Sequence, residues 1–173
     1  LDPVLFPPWM LAAQRLLLLS RLSGRLPLPT RTRRRQSVWQ NRDVASHYLQ
    51  QRALYKDWHP RALQGFAMTG LRGLSDDSVE LSCHPGWEAA IFASHPGPIW
   101  RDVTRIGIPA DILVASGGYG FIGPAARRAG RMNDYFRIHE VDGSHCFPME
   151  KPQLTAELIK HCIGLSKNAL SAQ

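Results

Sequence analysis

His145 follows Gly143 and Ser144 in the stretch VDGSHCFPMEKP, residues 141–152, directly after an apolar run with strand character. A glycine and a small hydroxyl residue let the backbone turn sharply at that point and aim the imidazole back at the strand ends. Imidazole gains and loses a proton near neutral pH, so a ring held this way suits general acid–base catalysis. It equally suits a surface or capping histidine, and local chemistry alone leaves both open. The histidines at 47, 59, 84, 95, 139 and 161 need no explanation beyond exposure or packing. Cys146 stands beside His145, but adjacent residues of an extended loop point apart, so it reads as a packing residue and not as half of a Cys–His pair.

The elements that must position His145 follow from the period of the apolar residues. ADILVASGG, from 110, is a short apolar run ending in glycines, as expected of a buried parallel strand whose end opens onto a cleft. GPAARRAGRM reads as a helix, YFRIHEV as a second strand, and EKPQLTAELIKHCIGL as a closing amphipathic helix. Strand, helix, strand, histidine loop and helix together make the repeating unit of an α/β sheet. Upstream, a helical pattern covers 9–22, and the glycine, prolines and arginines of 23–36 predict an exposed loop. NRDVASHYLQQRALYKDW, 41–58, predicts one amphipathic helix with Asp43 as its N-cap. HPRALQGFAMTGL predicts a shorter helix with Pro60 in its first turn, SVELSC a strand, and GWEAAIFAS another helix. The opening LDPVLFPPW has no methionine and resembles the tail of a strand, so the chain reads as one whose beginning is cut.

Composition narrows the class. The 173 residues, 44% hydrophobic, allow a genuine core and argue for one compact unit. The charge of +7 is concentrated in GRLPLPTRTRRRQ, at Arg25, Arg31, Arg33, Arg34 and Arg35. No aromatic interleaving, helix-turn-helix pattern or zinc spacing accompanies it, so a solvated loop is expected in place of a nucleic-acid surface. Arg15 interrupts WMLAAQRLLLLSRL and Pro7 and Pro8 precede it. That leaves it far short of the ~20 apolar residues of a membrane span, and no secretory signal is visible. Cys83, Cys146 and Cys162 are odd in number and widely spaced, which argues against a disulfide framework and a paired-cysteine zinc site. A cytoplasmic protein with no metal is expected.

FRIHEVDGSHCFPMEKP resembles the histidine loop of the α/β-hydrolase family, in which the last strand is followed by the catalytic histidine. LDPVLFPPW is similar to the end of that family's sixth strand, the helical middle to its inserted cap, and IGIPADILVASGGYG to its seventh strand. The resemblance implies an α/β fold comprising the C-terminal portion of a hydrolase sheet with a mainly helical cap. Its divisions would be the end of a core strand at 1–8, a cap at 9–76, and the remaining core with the histidine loop at 77–173. It also implies a cofactor-free nucleophile–His–acid mechanism acting on an ester or related bond of a small apolar substrate. The nucleophile of such enzymes sits earlier in the chain, usually within GxSxG, and no such elbow occurs here. Ser116, in VASGGYG, follows the wrong strand and reads as a turn residue. The chain itself is therefore expected to be inactive. Two alternatives are a non-catalytic ligand-binding relative and an epoxide or haloalkane hydrolase with an aspartate nucleophile.

The resemblance leaves the acid to be found. The loop after the seventh strand, SGGYGFIGP, holds no carboxylate, whereas Asp2 occupies a position similar to the acid some members carry after the sixth strand. Asp2 either orients the His145 ring or caps the strand end. Asp134 and Asp142 are weaker candidates, expected to face solvent. Phe6, Trp9, Trp39, Tyr48 and Trp58 either line a pocket under the cap or pack it to the core, with packing favoured for most. Trp9, nearest the strand end, is the candidate substrate-binding residue.

Overall fold

The computed structural model describes residues 1–171, with the side chains of Arg25 and of residues 165–171 outside the described set. The chain divides into two compact units, one of Trp9–His95 and one of Leu1–Pro8 together with the chain from Pro96 onward.

The Trp9–His95 unit is mainly helical. Helix α1, Pro8–Leu19, starts at its boundary and has no buried residue. A single 3-10 turn at Ser23–Arg25 leads into α2, Pro27–Arg33, where an exposed loop was expected. Pro27 begins α2, where proline's missing N–H costs nothing, and Pro29 and Thr32 are buried. Strand β1 is Val38–Trp39, and α3, Arg42–Gln50, ends well before residue 58. Its N-cap is Asn41 and not Asp43: the Asn41 side chain accepts from the Val44 N–H at 2.9 Å. Helix α4 is Pro60–Thr69, β2 Leu71–Gly73, β3 Val79–Leu81 and α5 Pro85–Ala93.

Two of these helices start in the same way. His59 and His84 each precede a proline at the first helical position, and each ring Nδ1 accepts a backbone N–H two residues on, from Arg61 at 3.2 Å and Gly86 at 3.0 Å. Arg42 Nη1 closes the other end of α4 by donating to the Met68 and Leu71 carbonyls at 3.2 and 3.0 Å and to that of Ala67. The strands form a small antiparallel sheet of order β1-β3-β2. Because β3 pairs with both others, the unit runs on past residue 76 to His95. Its core gathers Trp39, Leu49, Tyr55, Leu63, Leu71 and Val79, with Trp58 and Phe66 packed against it. The ring centroids of Tyr55, Trp58 and Phe66 lie 4.8–5.8 Å apart, at the angles aromatic rings favour.

The second unit carries the α/β pattern. After α6, Ile99–Val103, come β4, Ala110–Ala115; α7, Ile122–Met132; β5, Phe136–Val141; the short α8, Phe147–Glu150; and α9, Pro152–Ser171. β4 and β5 pair in parallel, from Ala110↔Phe136 to Ala115↔Val141. Alternation along β4 sends Leu113 and Ala115 to one face with Val141, Phe147 and Cys162, and Ile112 and Val114 to the other with Ile122 and Ala126. Burial on both faces explains why β4 reads as a continuous apolar run. Asn133 links the loop after α6 to the start of β5: its Nδ2 donates to the Val103 and Ile106 carbonyls, both at 2.8 Å, and its Oδ1 accepts from Tyr135 N–H. Residues 1–7, expected as the end of a strand, form no strand. Asp2 has φ +40°, which an extended ladder does not accommodate, and its backbone meets β4 through one bond, from its N–H to the Leu113 carbonyl at 2.6 Å. No described helix is long and apolar enough to cross a membrane.

Candidate active site

Asp2 and His145 are 143 residues apart in sequence and in contact in the structure: His145 Nδ1 lies 2.6 Å from Asp2 Oδ2. Asp2 is 3% exposed. Its other oxygen, Oδ1, accepts from the Ala115 N–H at 3.0 Å, at the C-terminal end of β4. The carboxylate is thus aimed by the backbone of β4, one oxygen to the strand end and one to the imidazole. An ionised carboxylate can only accept, so the proton of this bond belongs to Nδ1 and the ring's lone pair is left on Nε2. That is the tautomer a general base requires, and the side chain is 37% exposed, within reach of a substrate.

The loop after β4 makes room for this pair. A Cβ at Gly118 would sit 3.3 Å from Asp2 Oδ2, so the loop that lacks a carboxylate carries a glycine where Asp2 passes. Tyr119 follows, its ring centroid 5.3 Å from that of His145, and continues to Phe121 at 6.2 Å and Phe6 at 5.6 Å. The Phe6 carbonyl accepts from Trp100 Nε1 at 2.9 Å. Tyr119 was not singled out by sequence reasoning; the available signal was a lone aromatic inside a run of glycines.

The histidine loop is tied within itself. Gly143 has φ +149°, a conformation open to glycine, and a Cβ there would stand 2.7 Å from the Phe147 Cβ. Phe147 is fully buried and anchors α8. Glu150 accepts from the Ser144 N–H at 3.2 Å and from its hydroxyl, and Ser144 Oγ accepts from the Cys146 N–H at 3.0 Å. Outside that ring, Lys151 Nζ bonds the Asp142 carboxylate at 2.6 Å and the Asp142 carbonyl at 2.9 Å. The lysine holds the Asp142 carboxyl below the usual carboxylate range, first through its hydrogen bond and then through its charge.

Among the described residues, none of the remaining candidates hydrogen-bonds Asp2 or His145. Asp134 is exposed ahead of β5, and Asp142 is engaged with Lys151. Ser116 is exposed and its N–H donates to the Val141 carbonyl. Trp9 belongs to the Trp9–His95 unit and is 69% exposed. Of the other aromatics, Trp39, Tyr48 and Trp58 pack in or against that unit's core. Of the arginine cluster, Arg31, Arg33 and Arg34 are exposed, and Arg35 pairs with Glu88 of α5. An open cavity of about 630 Å³ in the same unit is lined by Arg31, Arg35, Tyr48, Arg52 and Tyr55 among others.

Asp111, His139 and Cys162, among the described residues, come nearest to a metal-ligand set, with donor atoms within 4.8 Å of one another. Arg137 takes both Asp111 oxygens, Nε to Oδ1 at 2.9 Å and Nη2 to Oδ2 at 2.6 Å, and His139 Nε2 lies 2.7 Å from Oδ1. Burial, and then the Asp111 charge, push the Cys162 thiol up. A carboxylate already neutralised by a guanidinium beside a thiol kept protonated fits an ion-pair cluster better than a cation site. It sits toward the N-terminal ends of β4 and β5, away from Asp2 and His145.

No protein-family model matches the sequence, and no curated protein does. Solved structures do. An E-2-(acetamidomethylene)succinate hydrolase aligns at TM-score 0.60 and 15% identity, over 73% of this chain and 47% of that one. A peroxisomal α/β-hydrolase of Saccharomyces cerevisiae aligns at TM-score 0.60 and 15% identity, over 79% of this chain and 38% of that one. An esterase of Mycobacterium tuberculosis aligns at TM-score 0.58 and 16% identity, over 88% of this chain and 50% of that one. The chain thus spans half or less of the length of each of these three. At such identities the likeness speaks for the fold alone, and the fold is part of that of an α/β-hydrolase.

Proposed function

We propose that Asp2 and His145 are the acid and the base of a nucleophile–His–acid hydrolase acting on an ester or related bond. The nucleophile would come from polypeptide outside these 173 residues. The observation that carries this reading is the 2.6 Å bond from His145 Nδ1 to a buried carboxylate itself oriented by the end of β4. In the reaction, Nε2 takes the proton of the attacking hydroxyl, and Asp2 steadies the imidazolium that forms; Nε2 then returns the proton to the leaving group, so the pair ends as it began. Asp2 is never protonated in this cycle. On this reading the Trp9–His95 unit is the cap, Trp9 offers apolar surface to a small apolar substrate, and no cofactor takes part. The three cysteines, all free thiols, favour a cytoplasmic setting.

The test is a fluorophosphonate probe on the complete protein. The parent labels at a serine outside residues 1–173, and His145→Ala slows labelling by about 10²-fold or more, the usual contribution of a positioned base. Labelling of the 173-residue chain at Ser116, or parental labelling by His145→Ala, would overturn the assignment.

A further inference from the structure

We propose that Glu150 is a positioning residue for the His145 imidazole, acting through Ser144; this rests on the reading of His145 as the base. The geometry is specific. Glu150, the last residue of α8, accepts from the Ser144 N–H at 3.2 Å and from the Ser144 hydroxyl. That hydroxyl oxygen in turn accepts from the Cys146 N–H at 3.0 Å. One carboxylate therefore fixes the backbone immediately before His145 directly and the backbone immediately after it by relay. Only Ser144 and His145 lie between the two anchored N–H groups, so the His145 Cα–Cβ direction is restrained from both sides.

A second, independent feature serves the same approach. A Cβ at Gly143 would lie 3.3 Å from Glu150 Oε2 as well as 2.7 Å from the Phe147 Cβ. The glycine thus admits the glutamate and lets the loop fold over buried Phe147. The Gly143 carbonyl accepts from the Gly117 N–H at 2.9 Å, tying the loop to the residues that follow β4. Such multiple restraint of a short loop is what a base needs, since an imidazole displaced by an ångström no longer meets both its acid and its substrate. Ser144 is exposed, so its hydrogen bonds are not required to satisfy buried groups.

The experiment is ¹⁵N NMR of the His145 ring in the complete protein, at a pH where the ring is neutral. In the parent, Nδ1 carries the proton and Nε2 the lone pair. In Glu150→Ala the ring loses that fixed tautomer and its two nitrogens average toward a mixture, while the backbone amide spectrum outside 142–151 is unchanged. Glu150→Gln restores the parental pattern, because the amide oxygen still accepts from the Ser144 N–H and the amide group still meets the hydroxyl. Should Glu150→Ala unfold the chain, Ser144→Ala decides: it cuts the relay to Cys146 from an exposed position and should give partial averaging. A Glu150→Ala ring that keeps its single Nδ1–H tautomer, or a Gln variant that fails to restore it, overturns the proposal. Turnover plays no part in this readout, so an ester-cleaving His145→Ala enzyme would remove the base assignment and leave the clamp standing.

Discussion

At Asp2 backbone and side chain serve different ends, and the cost of one reveals the other. A φ of +40° is unusual for a residue with a side chain, and such positions typically carry about 1–3 kcal/mol of strain. The return is a carboxylate that meets both Ala115 N–H and His145 Nδ1. Hydrogen bonds to charged groups contribute roughly 1.5–3 kcal/mol each, enough to offset the backbone. Asp2→Asn separates tautomer control from packing. The amide oxygen keeps the bond to Ala115, but the amide nitrogen faces the ring and can only donate, which forces Nδ1 to accept and moves the ring proton to Nε2. Turnover of the complete protein should fall by about 10⁴-fold, the scale of the same change in serine proteases, with the fold retained. His145→Ala should be at least as damaging, and the double variant little worse than either, because the two act as one unit. Asp134→Asn and Asp142→Asn should stay near parental kcat. Abolition by either, with Asp2→Asn unaffected, would place the acid elsewhere. His145→Ala is the blunter test, since it leaves the buried Asp2 carboxylate without its imidazole partner.

At the scale of elements, α3 shows where sequence signals compete. Asn41 and Asp43 both suit an N-cap, and Asn41 takes it, with its backbone extended and its side chain on Val44 N–H. Asp43 then falls in the first turn, where a negative charge favours the helix dipole without closing a hydrogen bond. Asn41→Ala should therefore lower stability by about 0.5–2 kcal/mol in urea unfolding, and Asp43→Ala by less. The reverse order would return the cap to Asp43. The same contest explains what was legible. β4, α7 and β5 have apolar faces long enough to show their period, and they lie where that period puts them. β1 and β2 are two and three residues long, too short to show any period. In α2, proline and arginine argue for a loop, and packing against α5 overrides them. Residues 51–58 keep a helix-like apolar spacing yet turn, because Tyr55 and Trp58 join Phe66 in a ring cluster that a continued helix would pull apart. Of the site, His145 was visible in its glycine turn. Asp2 came only through resemblance, since nothing local marks a partner 143 residues away. Glu150 was silent because its bonds, to the N–H and hydroxyl of Ser144 six residues earlier, follow no local spacing a sequence displays.

For the whole molecule the consequential fact is that, among the described residues, the second unit's parallel sheet has two strands, β4 and β5. Parallel strands normally lie inside larger sheets covered on both faces, because each leaves slanted N–H and C=O groups for a neighbour on either side. The two strands differ in this respect. β5 carries Arg137, His139 and Glu140 and is mostly half-buried, the manner in which an edge is protected from further pairing. β4 is buried from Ile112 to Ala115 and bears no charge over that stretch, the composition of an interior strand. Among the described residues its side away from β5 is met by two bonds with Asp2, from its N–H to the Leu113 carbonyl and from the Ala115 N–H to its carboxylate, and no strand pairs along it. Exposed Ile106, Ile108, Met149 and Ile163 in the same unit add apolar surface. An interior-type edge without a partner strand, in a unit that also exposes apolar side chains, favours pairing with another copy. We therefore expect the 173-residue chain to sediment as species larger than its 19.4 kDa monomer at micromolar concentration, and to unfold over a broad, concentration-dependent range. Two Lys substitutions on exposed Ile108 and Ile163 should reduce the association without abolishing it, because they leave the β4 edge in place. A monomer with a sharp transition independent of concentration would mean that the two bonds with Asp2 and the segment around it shield β4 well enough, and that the unpaired edge is no liability.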